Sequence, residues 1–170
     1  MLDEIKTDGL RMMIFAMFFV FLILSLAFRS PARALVATIP LIIGGTWMFG
    51  FLAWFGVRLD FFNVIIIPVV IGIGVDDGVH FYYRYLDHGV GSVSKVMQTV
   101  GSAIFMTSIT STIGFGGLAI TEHRGLQSIG YVAISGIFGT LLATLIVVPS
   151  IIWLAERYNW TWLLPKIAAE

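Results

Sequence analysis

Five long apolar runs dominate this chain, and they leave it very few folds. They cover residues 12–28, 35–57, 61–83, 100–120 and 129–154. A hydrocarbon core of about 30 Å is crossed by roughly 20 apolar residues in a helix, and helices satisfy every backbone hydrogen bond within lipid. The expectation is an all-α membrane protein, a bundle of about five transmembrane helices. It forms one domain over residues 1–170, with 155–170 as an interfacial tail. Charged residues make up 12% of the chain and hydrophobic ones 58%, whereas a soluble domain carries about 25% charge. Acidic and basic residues balance at ten each, so no nucleic-acid partner is expected. The chain has no cysteine, which removes disulfides, thiolate metal sites and thiol nucleophiles. Asp3, Glu4 and Asp8 stand where a secretory signal would be basic.

The runs are joined by short connections, so successive helices alternate in direction. Residues 92–99 are more polar and read as a short amphipathic lead-in along the membrane surface. One side of the membrane then receives Arg29, Arg33, Arg84, Lys95, Arg157 and Lys166. The other receives Lys6, Arg11, Arg58 and Arg124. The excess of basic residues places the first set, and the C-terminus with it, in the cytoplasm. The expected location is the cell (inner) membrane, as a multi-pass protein. Tyr158, Trp160 and Trp162 suit an aromatic belt at headgroup level.

Two acids interrupt the third run, Asp76 and Asp77, within Gly72-Ile73-Gly74-Val75-Asp76-Asp77-Gly78-Val79-His80. A charge at that depth costs about 2.5–3.5 kcal/mol on insertion scales, and ionisable groups there mark ion or proton pathways. Adjacent carboxyls titrate as a pair, which suits them to a proton relay. Neighbouring helical positions point about 100° apart, so both acids face a bundle interior only if the third helix is central. Use of the pair as polar glue between helices is the plainer alternative. A metal site with His80 is disfavoured, because adjacent aspartates diverge on a helix. His80 and Arg84 continue the stripe towards the cytoplasmic side. His80 either relays protons or bonds water and headgroups at the interface.

The fourth run supplies hydroxyls. Thr107, Thr110, Ser111 and Gly114 share a face at three- and four-residue spacing. That face either supports the acids or packs against a neighbour, its hydroxyls bonding back to the helix. Gly74 with Gly78, and Ser135 with Gly139, have the small-xxx-small spacing of close helix packing. Pro68 is expected to kink the third helix, a feature common where transporter helices carry a site.

Taken together, residues 72–77, His80, Tyr83-Arg84-Tyr85 and the Ser/Thr-rich segment 107–117 resemble the resistance-nodulation-division (RND) superfamily. The nearest resemblance is to its MMPL-type lipid exporters, with sterol-sensing and Patched-like proteins as relatives. It implies that the chain corresponds to helices two to six of one half of such a transporter. It also implies a proton-driven exporter of lipids or other hydrophobic compounds, with Asp76 and Asp77 at the proton-relay positions. The first helix, the extracytoplasmic domain and the partner half of that architecture are absent from this sequence. The bilayer, a hydrophobic substrate and a second transmembrane half or a second copy are the expected partners. A protein-translocation auxiliary of the SecD/SecF type, or a lipid-sensing module without transport, are the alternatives. No cofactor or metal is expected, and no nucleophile, base and oxyanion donor converge to suggest an enzyme.

Overall fold

A proline at the first position of a helix sacrifices no hydrogen bond, and Pro31 opens the second helix after an extended Ser30. Glycine at positive φ does the complementary work at a helix end. Gly89, at φ +89°, stops the third helix, and its N–H bonds the Tyr85 carbonyl. Between such signals the computed structural model, which describes residues 2–57 and 61–164, contains five helical runs. They are α1 (Leu2–Ala27), α2 (Pro31–Trp54), α3 (Phe61–His88), α4 (Val93–Ala119) and α5 (Arg124–Arg157). Arg58 and Lys166 lie outside the described residues.

Four of the five are long and apolar enough to cross a membrane, and α1 holds a shorter apolar segment, Ile14–Ala27. Every helix outruns at least one of its expected bounds, because helical backbone continues wherever propensity allows, past the end of the apolar run. Asp3, Glu4, Lys6 and Arg11 thus belong to α1, and Arg84 to α3. The polar lead-in at 92–99 is not a separate surface element. It forms the first turns of α4, joined to the rest through a π-helical turn at Met97–Gly101. A π turn accommodates one extra residue and commonly marks a functional position.

The third helix is not the centre of the bundle. That place belongs to α5, against which α2, α3 and α4 all pack, with α1 outside on α2 and α3. The reason is side-chain size. Buried α5 positions include Gly125, Gly130, Ala133, Gly136, Gly139 and Ala143, and small residues let several backbones approach one helix closely. A Cβ on Gly44 of α2 would stand 2.6 Å from Thr140 Cα, and one on Gly74 of α3 would stand 2.6 Å from Thr140 Cγ2. The helices α2, α3 and α5 form one tight block. By contrast, only 11% of the apolar span of α4 is buried, against 44% for α2, 50% for α3 and 44% for α5.

After α5 the chain folds back under the bundle. Arg33 Nη2 donates to the Leu164 carbonyl at 2.7 Å, and the Tyr82 hydroxyl donates to the Leu163 carbonyl at 2.7 Å. Glu156 Oε1 accepts from the Tyr85 hydroxyl at 2.8 Å and from Gly91 N–H at 2.7 Å, tying the α3–α4 loop to the end of α5. Tyr158, Trp160 and Trp162 stack in a row beside this strap.

Candidate functional site

Asp77 is the buried acid, 8% exposed, while Asp76 lies on the surface of the bundle. Helical geometry separates them. Asp77 lies seven residues after Val70, hence within about 20° of it around the helix, and Val70 abuts Gly136 of α5. Asp76 points about 100° away. Because α5 rather than α3 is central, one acid faces inward and its neighbour cannot.

Asp76 belongs to an open stripe. Gly72, Asp76, His80 and Arg84 recur every four residues, and all are exposed. The Arg84 side chain lies 3.4 Å from Asp87, with both side chains more than half exposed, a pairing worth little. His80 thus follows Asp76 along the surface rather than Asp77 into the core. The three residues Asp76, Asp77 and His80 do not converge on one point. Pro68 stands within an α3 that runs unbroken from Phe61 to His88. Gly74 meets Thr140, and Gly78 meets the carbonyl of Ala37 on α2.

The hydroxyl that reaches Asp77 is none of the three that helical spacing selects. Thr107 bonds back to the Ile104 carbonyl and Thr110 to that of Met106, both from exposed positions, and Ser111 is half-buried. The side-chain hydrogen-bonding neighbour of Asp77 is Ser108, which is 2% exposed. Their contact stops short of a completed bond, since Ser108 Oγ and Asp77 Oδ2 both lack a partner in hydrogen-bonding geometry. A spacing signal for Ser108 was present. It lies seven residues after Gly101 and eleven before Ala119, hence within about 20° of both. Those two residues touch α5, Gly101 at Leu145 and Ala119 at Gly130.

The multi-pass helical bundle, with one carboxyl buried among its helices and a second acid beside it on an open face, agrees with the RND/MMPL-type membrane domain that the comparisons with known proteins support. The chain belongs to the MMPL family, whose model matches residues 1–169. It is 26% identical over 145 residues to a membrane protein of Methanocaldococcus jannaschii, covering 82% of this chain and 37% of that protein. It is 22% identical over 149 residues to the hopanoid transporter HpnN of Rhodopseudomonas palustris, covering 88% of this chain and 17% of that protein. The HpnN of Burkholderia multivorans is 23% identical over 128 residues, covering 75% of this chain and 14% of that protein. The chain therefore spans well under half the length of these relatives. No solved structure matches it.

Proposed function

We propose that this chain is the membrane half of a proton-driven exporter of lipids or other hydrophobic compounds, in which Asp76 and Asp77 handle the proton. The observation that carries this reading is the placement of the two acids. Asp77 is enclosed between helices with an unpartnered oxygen, and Asp76 is open at the same depth. Together they offer a step from the bundle surface to its interior. Uncompensated carboxyls inside lipid are costly and persist where they serve a pathway. The names of two relatives as hopanoid transporters support a lipid-like cargo. The exposed stripe of Gly72, Asp76, His80 and Arg84 is the face on which a second transmembrane half or a second copy packs. The inner membrane is the site of action, with the C-terminus in the cytoplasm.

The energetics set the expected size of the effect. One charge crossing 100 mV yields about 2.3 kcal/mol, equivalent to about a fifty-fold gradient of a neutral cargo at 1.36 kcal/mol per tenfold. Asp76→Asn and Asp77→Asn, made in the complete protein, are expected to insert normally and to collapse that gradient towards unity. The measurement is efflux of a fluorescent hydrophobic dye from cells, with and without a protonophore. A double Asn variant that exports at the unaltered rate with unaltered protonophore sensitivity overturns the proposal.

A further inference from the structure

Four buried side-chain oxygens among the described residues lack a hydrogen-bond partner: Ser25 Oγ, Asp77 Oδ2, Ser108 Oγ and Thr144 Oγ1. Three of them stand together. Gly74 of α3 faces Thr140 of α5, and both helices run the same way from that contact. At 1.5 Å per residue, Asp77 lies about 4.5 Å further along α3 and Thr144 about 6 Å further along α5. They therefore share a depth. Around α5, Thr144 lies about 40° from Thr140 and about 40° from Gly130 on the other side. Thr140 touches α3 and Gly130 touches Ala119 of α4. Thr144 thus points between α3 and α4, where Ser108 meets Asp77.

The hydroxyls themselves behave unusually. Serine and threonine within helices ordinarily bond back to a carbonyl three or four residues earlier, and Thr38, Thr107, Thr110, Ser135, Thr140 and Ser150 all do so. Ser108 and Thr144 do not, although they are 2% and 0% exposed. Neither oxygen bonds its own backbone, and by helical register both lie near the depth of the buried acid.

We propose that Asp77, Ser108 and Thr144 form a single hydrogen-bonding site, in which the two hydroxyls are positioning residues for the Asp77 carboxyl. The inference rests on reading Asp77 as a proton carrier. A hydroxyl suits that task because it donates to a carboxylate and accepts from a carboxylic acid, so the same side chain serves both states. The two hydroxyls differ in their setting. Thr144 sits on α5, locked to α3 by the Gly74 and Gly136 contacts. Ser108 sits on α4, the least buried of the four long apolar spans, entered through a π turn. Thr144 holds the carboxyl from a fixed wall, and Ser108 completes the set from a helix that can close upon it. The protonation state of Asp77 is thereby passed to α4.

Infrared difference spectroscopy of the whole chain in lipid vesicles, titrated with acid, tests this. The carboxylic C=O band lost in Asp77→Asn is the band of Asp77. Ser108→Ala and Thr144→Val are each expected to move it to higher wavenumber, as a carbonyl does on losing a donor. Thr144→Ser keeps its position, and Thr107→Val, which alters a hydroxyl bonded to its own helix, leaves it unmoved. Circular dichroism establishes that each variant keeps its helices. A band unmoved in both Ser108→Ala and Thr144→Val overturns the inference and leaves the reading of Asp77 standing. If no titrating carboxylic band is lost in Asp77→Asn, the reading of Asp77 as a proton carrier is overturned instead.

Discussion

Neighbouring residues on α3 have opposite roles, and the difference is a matter of 100°. The glycines show it as plainly as the acids. A Cβ at Gly78 would lie 2.5 Å from the carbonyl oxygen of Ala37, a backbone atom, whereas at Gly72 it would meet nothing within 4 Å. Gly78→Ala is therefore expected to destabilise the bundle by about 1–3 kcal/mol, the usual cost of overpacking. Gly72→Ala is expected to be neutral or stabilising by up to about 1 kcal/mol, from helix propensity. Thermal unfolding in detergent micelles distinguishes them, and equal melting temperatures would contradict the close approach of α2 and α3. The acids were legible in the sequence because charge inside an apolar run is conspicuous. Which acid is buried was not legible, since that depends on which helix is central. Ser108 was obscured for a related reason: α4 is apolar or small nearly all round, so three- and four-residue spacing around Thr107 defined a plausible face that the bundle does not use.

At the scale of the elements, the helices themselves follow from hydropathy, since each apolar run became a helix. Their ends do not. Glu4, Lys6 and Arg84 are good helix formers and extend α1 and α3 beyond the apolar stretches. The π turn at Met97–Gly101 has no composition signature, and it merges an apparent surface segment into α4. The C-terminal strap was readable only as aromatic residues. Its attachment depends on Arg33 and Tyr82 meeting carbonyls of residues more than eighty positions away. Tyr82→Phe removes one of these anchors, worth about 1 kcal/mol. It is expected to leave the bundle intact and make 158–164 more sensitive to protease added from that side. Unchanged cleavage would mean that Arg33 alone holds the strap.

For the molecule as a whole, the undecided quantity in the sequence is direction across the membrane. Five helical runs fix two ends, one with the α1–α2 and α3–α4 loops and the C-terminal strap, the other with the α2–α3 and α4–α5 connections. The basic residues Arg29, Arg33, Arg157 and Lys95 favour a cytoplasmic location for the first end. The chain is free of cysteine, so single cysteines report cleanly. A cysteine at Glu122, exposed in the α4–α5 connection, is expected to react with an impermeant maleimide on intact cells. One at Val90, 52% exposed in the α3–α4 loop, is expected to react only after lysis. The reverse pattern inverts the orientation. In the same series, Gly72→Cys is expected to crosslink to a second half or copy, because it shares the open stripe with Asp76.

The central position of α5 also governs the order in which this protein can be built. Of the helices described, the one that α2, α3 and α4 lean on leaves the ribosome last. At about 5–20 residues per second, the hundred or so residues between Trp54 and Arg157 take roughly 5–20 s to synthesise. During that interval α2, and α3 once it is made, wait in the membrane with Gly44 and Gly74 lacking Thr140 of α5, and Asp77 has neither α5 nor Thr144 beside it. Closure of the bundle, enclosure of the acid and capture of the strap by Arg33 and Tyr82 are thus deferred until α5 and the strap have been made. A ribosome stalled before α5 would leave an inserted but unassembled set of helices with Asp77 bare.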